Sequence, residues 1–345
     1  MHLPVSIPFP PMEATLVTEI PSGKEWQYEP KWDGFRCLAF RDGEEVQLQS
    51  KSGQDLTRYF PEVVEVFQQL PSTRFVLDGE LVVPVGDQLS FDDLLQRIHP
   101  AASRVQKLSK THPAHFIAFD LLVDAGGKPL WEQPLEPRRK QLELFAKTNF
   151  KPRNRLHLCK VTRDIQTAQR WFADVGAHLD GIIAKRVDLP YQSGNRHGMQ
   201  KVKKIRTADC VVGGFRYGTG KKEVGSLLLG LYDGEGLLHH VGFTSGLKSA
   251  EKAKLTRKLE GLVQAPGFSG RAPGGPSRWS TERSTEWQPL KPELVVEVAY
   301  DHISGERFRH GTRLLRWRPD KAPEQCTFDQ LKAPRSAALA FASSG

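Results

Sequence analysis

The chain is poor in cysteine and has no long apolar stretch, and both shortages narrow its class. No apolar run in the 345 residues approaches the ~20 that a helix needs to span a bilayer. The four cysteines, Cys37, Cys159, Cys210 and Cys326, stand alone, with no CxxC pair. That spacing gives neither a zinc site nor a disulfide framework, and it suits small core residues in a reducing cytoplasm. The N-terminus, Met1-His2-Leu3-Pro4, has no basic region followed by an apolar stretch, so it does not read as a secretory signal. No internal repeat is visible. Acidic residues are the minority charge, 40 Asp and Glu against 49 Lys and Arg, for a net charge of +9. A basic surplus favours polyanionic partners through counterion release, although composition alone does not select nucleic acid.

What is present fits a globular chain with room for two domains. Residues 1–30 carry Pro4, Pro8, Pro10, Pro11, Pro21 and Pro30, which predicts an extended lead-in. An alternating region follows. Strands are expected at Phe35 to Phe40 and Val46 to Gln49 around Asp42-Gly43, at Phe75 to Val83, Phe116 to Val123 and Gly181 to Lys185. Helices are expected from Pro61 to Leu70, from a Ser90 cap to Ile98, from Pro137 to Phe145 and from Asp164 to Gly176. After about Thr207 the pattern becomes short strands at Val211 to Phe215, Ser226 to Tyr232, Leu237 to Phe243 and Leu294 to Tyr300, with one helix from Ala250 to Leu262. That mixture suits a small barrel such as an OB-fold. Pro266 to Ser277 reads as a loop, and the tail beyond Pro334 as frayed.

One run carries more chemistry than any other: Glu29-Pro30-Lys31-Trp32-Asp33-Gly34-Phe35-Arg36. A lysine is a nucleophile only with its amine unprotonated, against an ordinary pKa of ~10.4, so it needs cationic neighbours or desolvation. Alone, the run also suits a strand end with a solvated ion pair. The rest of the chain shifts that balance. The run resembles the KxDGxR signature of covalent nucleotidyltransferases, the superfamily of DNA ligases, RNA ligases and mRNA capping enzymes. Leu77-Asp78-Gly79-Glu80-Leu81 is similar to LDGE, Phe116 to Leu122 to the FDLL element, and Lys201-Val202-Lys203 to KxK. Asp180-Gly181-Ile182-Ile183-Ala184-Lys185 is similar to EGxxxK with Asp in place of Glu, and Arg318-Pro319-Asp320-Lys321 to RxDK. The whole resembles bacterial ATP-dependent DNA ligases of the ligase C type, close to the ligase domain of ligase D.

The resemblance implies an α+β nucleotidyltransferase core, an ATP-grasp-like ligase fold, over 1–207, then a β-barrel OB-fold domain over 208–334 and a flexible tail over 335–345. It leaves no room ahead of Lys31 for the helical DNA-binding domain of larger eukaryotic ligases. It implies three steps: attack of Lys31 on the ATP α-phosphate, transfer of AMP to a 5′-phosphate at a nick, and sealing by the 3′-hydroxyl. The implied roles are Lys31 and Asp33 in catalysis, and Glu29, Arg36, Lys51, Glu80, Phe119, Lys201 and Lys203 on the nucleotide. Asp180 and Glu80 would hold Mg2+ or Mn2+, and Arg316, Arg318, Asp320 and Lys321 would serve the pyrophosphate. The implied partner is nicked duplex DNA, with Ku and a primase-polymerase suggested by association, in a monomeric protein of the bacterial nucleoid. A capping guanylyltransferase or RNA ligase, and a non-catalytic nucleic-acid-binding module, are the competing readings. An NAD-dependent ligase conflicts with the scattered cysteines, because that class carries a four-cysteine zinc finger. Two further patterns carry no site. Gly218-Thr219-Gly220-Lys221-Lys222 fails the Walker pattern and reads as a basic hairpin. His239-His240 point to opposite faces of a strand.

Overall fold

A computed structural model describes residues 1–86, 88–173, 179–220, 222–274, 286–331 and 342–343. The chain divides into two compact units, residues 1–204 with 334–345, and residues 205–333.

The first unit opens with β1 (Thr15–Leu16), β2 (Trp26–Trp32), β3 (Phe35–Asp42) and β4 (Glu45–Ser50). Helix α1 (Pro61–Gln68) has Pro61 in its first turn, where a missing N–H costs nothing. It is followed by β5 (Arg74–Val82) and the small hairpin β6 (Pro84–Val85) and β7 (Gln88–Leu89). Ser90 caps α2 (Phe91–Gln96) by accepting from the Asp93 N–H at 3.2 Å. Next come α3 (Ala102–Thr111), β8 (His115–Val123), α4 (Leu135–Asn149), β9 (Leu156–Cys159), α5 (Ile165–Ala173), β10 (Leu179–Arg186) and β11 (Met199–Lys203). Helix α3 escaped the sequence reading because Ala101 offers no capping side chain and the helix is polar on most sides.

Apart from the β6–β7 hairpin, these strands form two sheets. One runs β1-β11-β10-β2. The other runs from β9 through β8, β5 and β3 to β4, and on the far side of β9 the described pair Ala342–Ser343 adds an antiparallel edge, Ala342 opposite Cys159. The tail expected to be flexible is therefore a strand at those two residues, and the rest of 335–345 lies outside the described residues. Alternation along β3 shows the layering. Cys37 and Ala39 join the core beneath α1 and α4, with Phe67, Phe116 and Phe145. Leu38 and Phe40 point the other way and pack with Met199 and Ile183 of the four-stranded sheet. The outer face of that sheet, Trp26, Tyr28, Ile182 and Ala184, is covered by Ala168 and Trp171 of α5. Sheet faces buried on both sides explain why β8 is one apolar run instead of an alternating one.

The second unit holds β12 (Arg206–Tyr217), β13 (Val224–Tyr232), β14 (Leu238–Thr244), α6 (Lys252–Glu260), β15 (Gln288–Pro289) and β16 (Val295–Tyr300). The short hairpin β17 (Ile303–Ser304) and β18 (Arg307–Phe308) precedes β19 (Arg313–Trp317). The strand order is β14-β13-β12-β16-β19, with β15 beside β12. This ladder is an open path. A single bridge, Thr244 to Thr312, links the region of its two outer strands, and no ladder closes a barrel among the described residues. The core is one cluster built on Val211, Phe215, Leu228, Val241, Leu259 and Val296. The expected hairpin after Tyr217 is present, with Gly218 N–H donating to the Glu223 carbonyl at 2.7 Å; Lys221 lies outside the described residues. So do Gly176 and residues 275–277, at the ends of the expected helix and loop.

Candidate active site

Three strands of the four-stranded sheet set out side chains in rows. Their register places Lys31, Gly181 and Lys203 side by side, then Glu29, Ile183 and Lys201, then Gln27, Lys185 and Met199. With a side-chain period of two, the odd-numbered positions share one face. Glu29, Lys31, Ile183, Lys185, Met199 and Lys201 all line a cavity of about 680 Å³. The opposite wall comes from the six-stranded sheet. Arg36 and Glu80 are cross-strand partners there and line the same cavity with Phe119, Ser50 and Lys51. The chain passes from one sheet to the other between β2 and β3, at Asp33-Gly34, so the KxDG run is the crossing itself. Gly34 is required there: a Cβ would run into the Leu81 carbonyl. Its N–H donates to Glu80 Oε1 at 3.1 Å.

Two residues reach the site through irregularities. Leu179 opposes Trp32 and Gly181 opposes Lys31, so Asp180 is an extra residue at a bulge in β10. The bulge turns its carboxylate to the Lys31 ammonium, with which it pairs directly, and to Lys203 at 3.3 Å. On β8, Asp120 opposes Asp78 and Ala118 opposes Gly79, which leaves Phe119 as a second extra residue. Its ring has the Arg36 guanidinium 4.9 Å and the Lys185 ammonium 4.6 Å from its centroid.

Three further cations are held by acids. Arg36 forms a two-pronged bond with Asp78, at 2.7 and 2.6 Å, and Tyr191 donates its hydroxyl to the same carboxylate at 2.6 Å. Burial works against the Arg36 charge, but Asp78 overrides it and leaves its pKa raised. Lys185 pairs with Glu29 at 2.7 Å, and Lys51 with Glu13 at 3.0 Å. Burial pushes the Glu80 carboxyl up to about 7, against the pull of Lys31 and Arg36 and with Asp33 adding to the rise. Lys201 is pushed down, by burial first and then by Lys31, Lys51 and Lys203.

The RxDK residues belong to the second unit. Arg318 donates to Asp209 at 2.8 Å and to Asp320 at 2.9 and 3.0 Å, and Lys321 donates to Asp209 at 2.7 Å. Arg316 donates to Glu297 at 2.6 Å.

Of the residues expected from sequence, Glu29, Lys31, Arg36, Lys51, Glu80, Phe119 and Lys201 share the cavity lining. Asp180 and Lys203 join them through Lys31 and through each other, and Asp33 through its influence on Glu80. Residues missed include Glu13, Lys185, Asp78, Tyr191, Asp209 and Glu297. Lys185 ends the EGxxxK element and Asp78 lies in LDGE, so spacing pointed at both. Glu13 sits in the lead-in with no pattern around it. Among the described residues no three His, Cys, Asp or Glu side chains form a ready-made metal centre. His239 bonds Asp233 at 2.7 Å while His240 packs on Phe268, in keeping with opposite faces.

Residues 11–203 match the ATP dependent DNA ligase domain family, and residues 220–321 match the ATP dependent DNA ligase C terminal region. DNA ligase C1 of Mycolicibacterium smegmatis is 44% identical over 345 residues, covering 97% of each chain. DNA ligase C of Mycobacterium tuberculosis is 43% identical over 354 residues, covering 98% of each. Among solved structures, the ligase domain from M. tuberculosis LigD is 30% identical over 92% of this chain and 98% of that one, with a TM-score of 0.46.

Proposed function

The chain belongs to the ATP-dependent DNA ligase family, and from that membership we propose how its residues divide the reaction. The activity is that of an ATP-dependent DNA ligase, with ATP as co-substrate and nicked DNA as substrate. The first unit is the nucleotidyltransferase-type ligase domain and the second the C-terminal ligase domain. Lys31 Nζ, its ammonium proton passed to the paired Asp180 carboxylate, attacks the α-phosphate of ATP and expels pyrophosphate; the AMP then passes to the 5′-phosphate of the nick and leaves when the 3′-hydroxyl attacks. Each step is an in-line displacement at phosphorus, so positioning and charge neutralisation supply most of the catalysis.

The observation that carries this assignment is the placement of Lys31 on the cavity wall beside Lys201, opposite Glu80 and Phe119, with Asp180 paired to its amine. Asp180 holds the amine in place, Lys201 and Lys203 face phosphate oxygens, Phe119 takes the adenine face and Glu29 reads its amino group. Arg36, pinned by Asp78, and Lys51 meet ribose or phosphate, and Asp33 with Glu80 completes the ribose end. Two carboxylates beside the nucleophile, Asp180 and Glu80, suit Mg2+ or Mn2+ that arrives with the nucleotide, because Mg2+ is usually held by one or two carboxylates plus substrate phosphates. Such a cation, when bound, draws charge off the phosphoryl group. Arg316, Arg318, Asp320 and Lys321 act on the departing pyrophosphate. The open strand path and, among the described residues, one α-helix in the second unit favour an OB-type fold over other small barrels.

We further propose a repair or end-joining role in the bacterial nucleoid as a monomer, with Ku and a primase-polymerase as partners. What supports it is the ligase C kinship and the basic surplus. Among the described residues no helix is long and apolar enough to cross a membrane. Incubation with α-labelled ATP or GTP, followed by a chase with nicked duplex DNA, tests the assignment. Label from ATP alone should enter the protein and leave it for DNA. Labelling by GTP would favour a capping enzyme, and no label from either would favour a non-catalytic module.

A further inference from the structure

Three cations of the RxDK region are held by two acids that stand directly opposite each other. Asp209 of β12 and Glu297 of β16 are register partners across the antiparallel pair. Like charges directly opposite in a sheet destabilise it unless something neutralises them. Here the neutralising groups are Arg318 and Lys321 of the motif and Arg316 just ahead of it. Glu297 takes Arg316, one oxygen of Asp209 takes Arg318 at 2.8 Å, and the other takes Lys321 at 2.7 Å. Asp209 is itself fixed. It is buried, its N–H donates to Gln330 Oε1 at 2.9 Å, and its carbonyl accepts from Gln330 Nε2 at 3.2 Å. Asp320, by contrast, is mostly exposed and bonds Arg318. The geometry points to Asp209, assisted by Glu297, as the positioning residue that holds the Arg318 and Lys321 side chains at a fixed separation for pyrophosphate.

The physical reason lies in the length of those side chains. Free lysine and arginine tails sample many rotamers, and a group that must meet a leaving phosphate gains from being held beforehand. Each retains donors for a ligand while Asp209 occupies one. Lysine has three and Arg318 keeps part of its fork outside the bonds to Asp209 and Asp320. The carboxylate must lie on a rigid strand for this to work, and β12 between β13 and β16 supplies one.

This inference rests on the proposed action of the RxDK residues in the first step. Its test is single-turnover formation of the Lys31 adduct across a range of ATP concentrations, and sealing of a pre-adenylylated nick without ATP. Full-length wild type, Asp209→Asn, Asp209→Glu and Lys321→Ala are compared, each with a thermal melt. Asp209→Asn keeps the shape and removes the charge. It should lower the limiting rate of adduct formation on the order of tenfold, as expected for one charge-assisted hydrogen bond, with the larger change in rate than in half-saturating ATP. Asp209→Glu should recover part of the loss. Sealing of the pre-adenylylated nick should stay within about twofold of wild type, and the melt should not move in step with the rate. Wild-type adduct formation by Asp209→Asn alongside a slow Lys321→Ala would overturn the inference and leave the RxDK assignment standing. Normal adduct formation by both variants would overturn the assignment itself. Equal losses in both steps, or a loss that tracks the melt, would make Asp209 a structural residue only.

Discussion

Glu80→Gln should make the protein more stable above neutral pH while impairing ligation. The Glu80 carboxyl is pushed from 4.5 to about 7, chiefly by burial, so the folded state holds a proton that the unfolded chain releases near pH 4.5. Stability is therefore lost as pH rises from about 4.5 through about 7, and the penalty is fully present above that. A shift of roughly 2.5 units corresponds to about 3 kcal/mol at 1.36 per unit. That is an upper figure, because Glu80 lines the cavity and keeps part of its surface in water, which screens the penalty. Glutamine keeps the size and an acceptor for the Gly34 N–H but cannot ionise. Urea denaturation of wild type and variant at pH 4.5, 6, 7 and 8 measures the difference. The gain should be near zero at the lowest pH, grow through pH 6 and 7, and level off at about 1–3 kcal/mol by pH 8. A gain that is flat with pH, or a loss at pH 8, would refute the reasoning that a desolvated carboxylate is kept there at a cost in stability.

Asp180→Asn should weaken the dependence of sealing on divalent cation and slow adduct formation; an unchanged Mg2+ titration would show that Asp180 does not hold the cation. Gly181→Ala should destabilise the first unit by about 2–4 kcal/mol, from backbone strain and overpacking together. There the backbone φ is +153° and a Cβ would run into the Val202 carbonyl, and an unchanged melting temperature would contradict the register of Lys31, Gly181 and Lys203. Affinity for nicked duplex DNA should fall steeply with salt, with a slope of about −0.9 per phosphate neutralised. A flat binding curve between low and physiological salt would show that the +9 surplus does not meet the backbone.

Of the strands that carry the site, β3, β5, β8 and β10 were legible because their signals are local, whereas β2 and β11, which carry Lys31 and Lys201, were not read as strands. The two-residue turn after Asp42, the Ser90 cap and the apolar run of β8 each depend on neighbouring residues. The ordered elements around Lys31, Glu80 and Lys201 were equally legible as motif residues. Their convergence was not. Nothing in the period of two announces that Asp180 and Phe119 are extra residues at bulges, and a strictly regular strand would turn each to the opposite face. The partners of the cations were hidden for a different reason. Asp209 is 109 residues from Arg318 and 112 from Lys321, so only the β12–β16 register brings the acids together. Helix α3 was missed because its polar sequence offers neither a cap nor a broad apolar stripe, and β9 because four residues are too few to show a pattern.

The central claim is that Lys31 is the covalent nucleophile, and intact-mass measurement with peptide mapping tests it most directly. Purified protein incubated with ATP and Mg2+ should gain the mass of one AMP, the adduct should map to the peptide containing Lys31, and nicked DNA should discharge it. Lys31→Ala should remain folded by circular dichroism and show no added mass. A normal adduct on the Lys31→Ala protein, or an adduct mapped to Lys201, Lys203 or any other residue, would contradict the account.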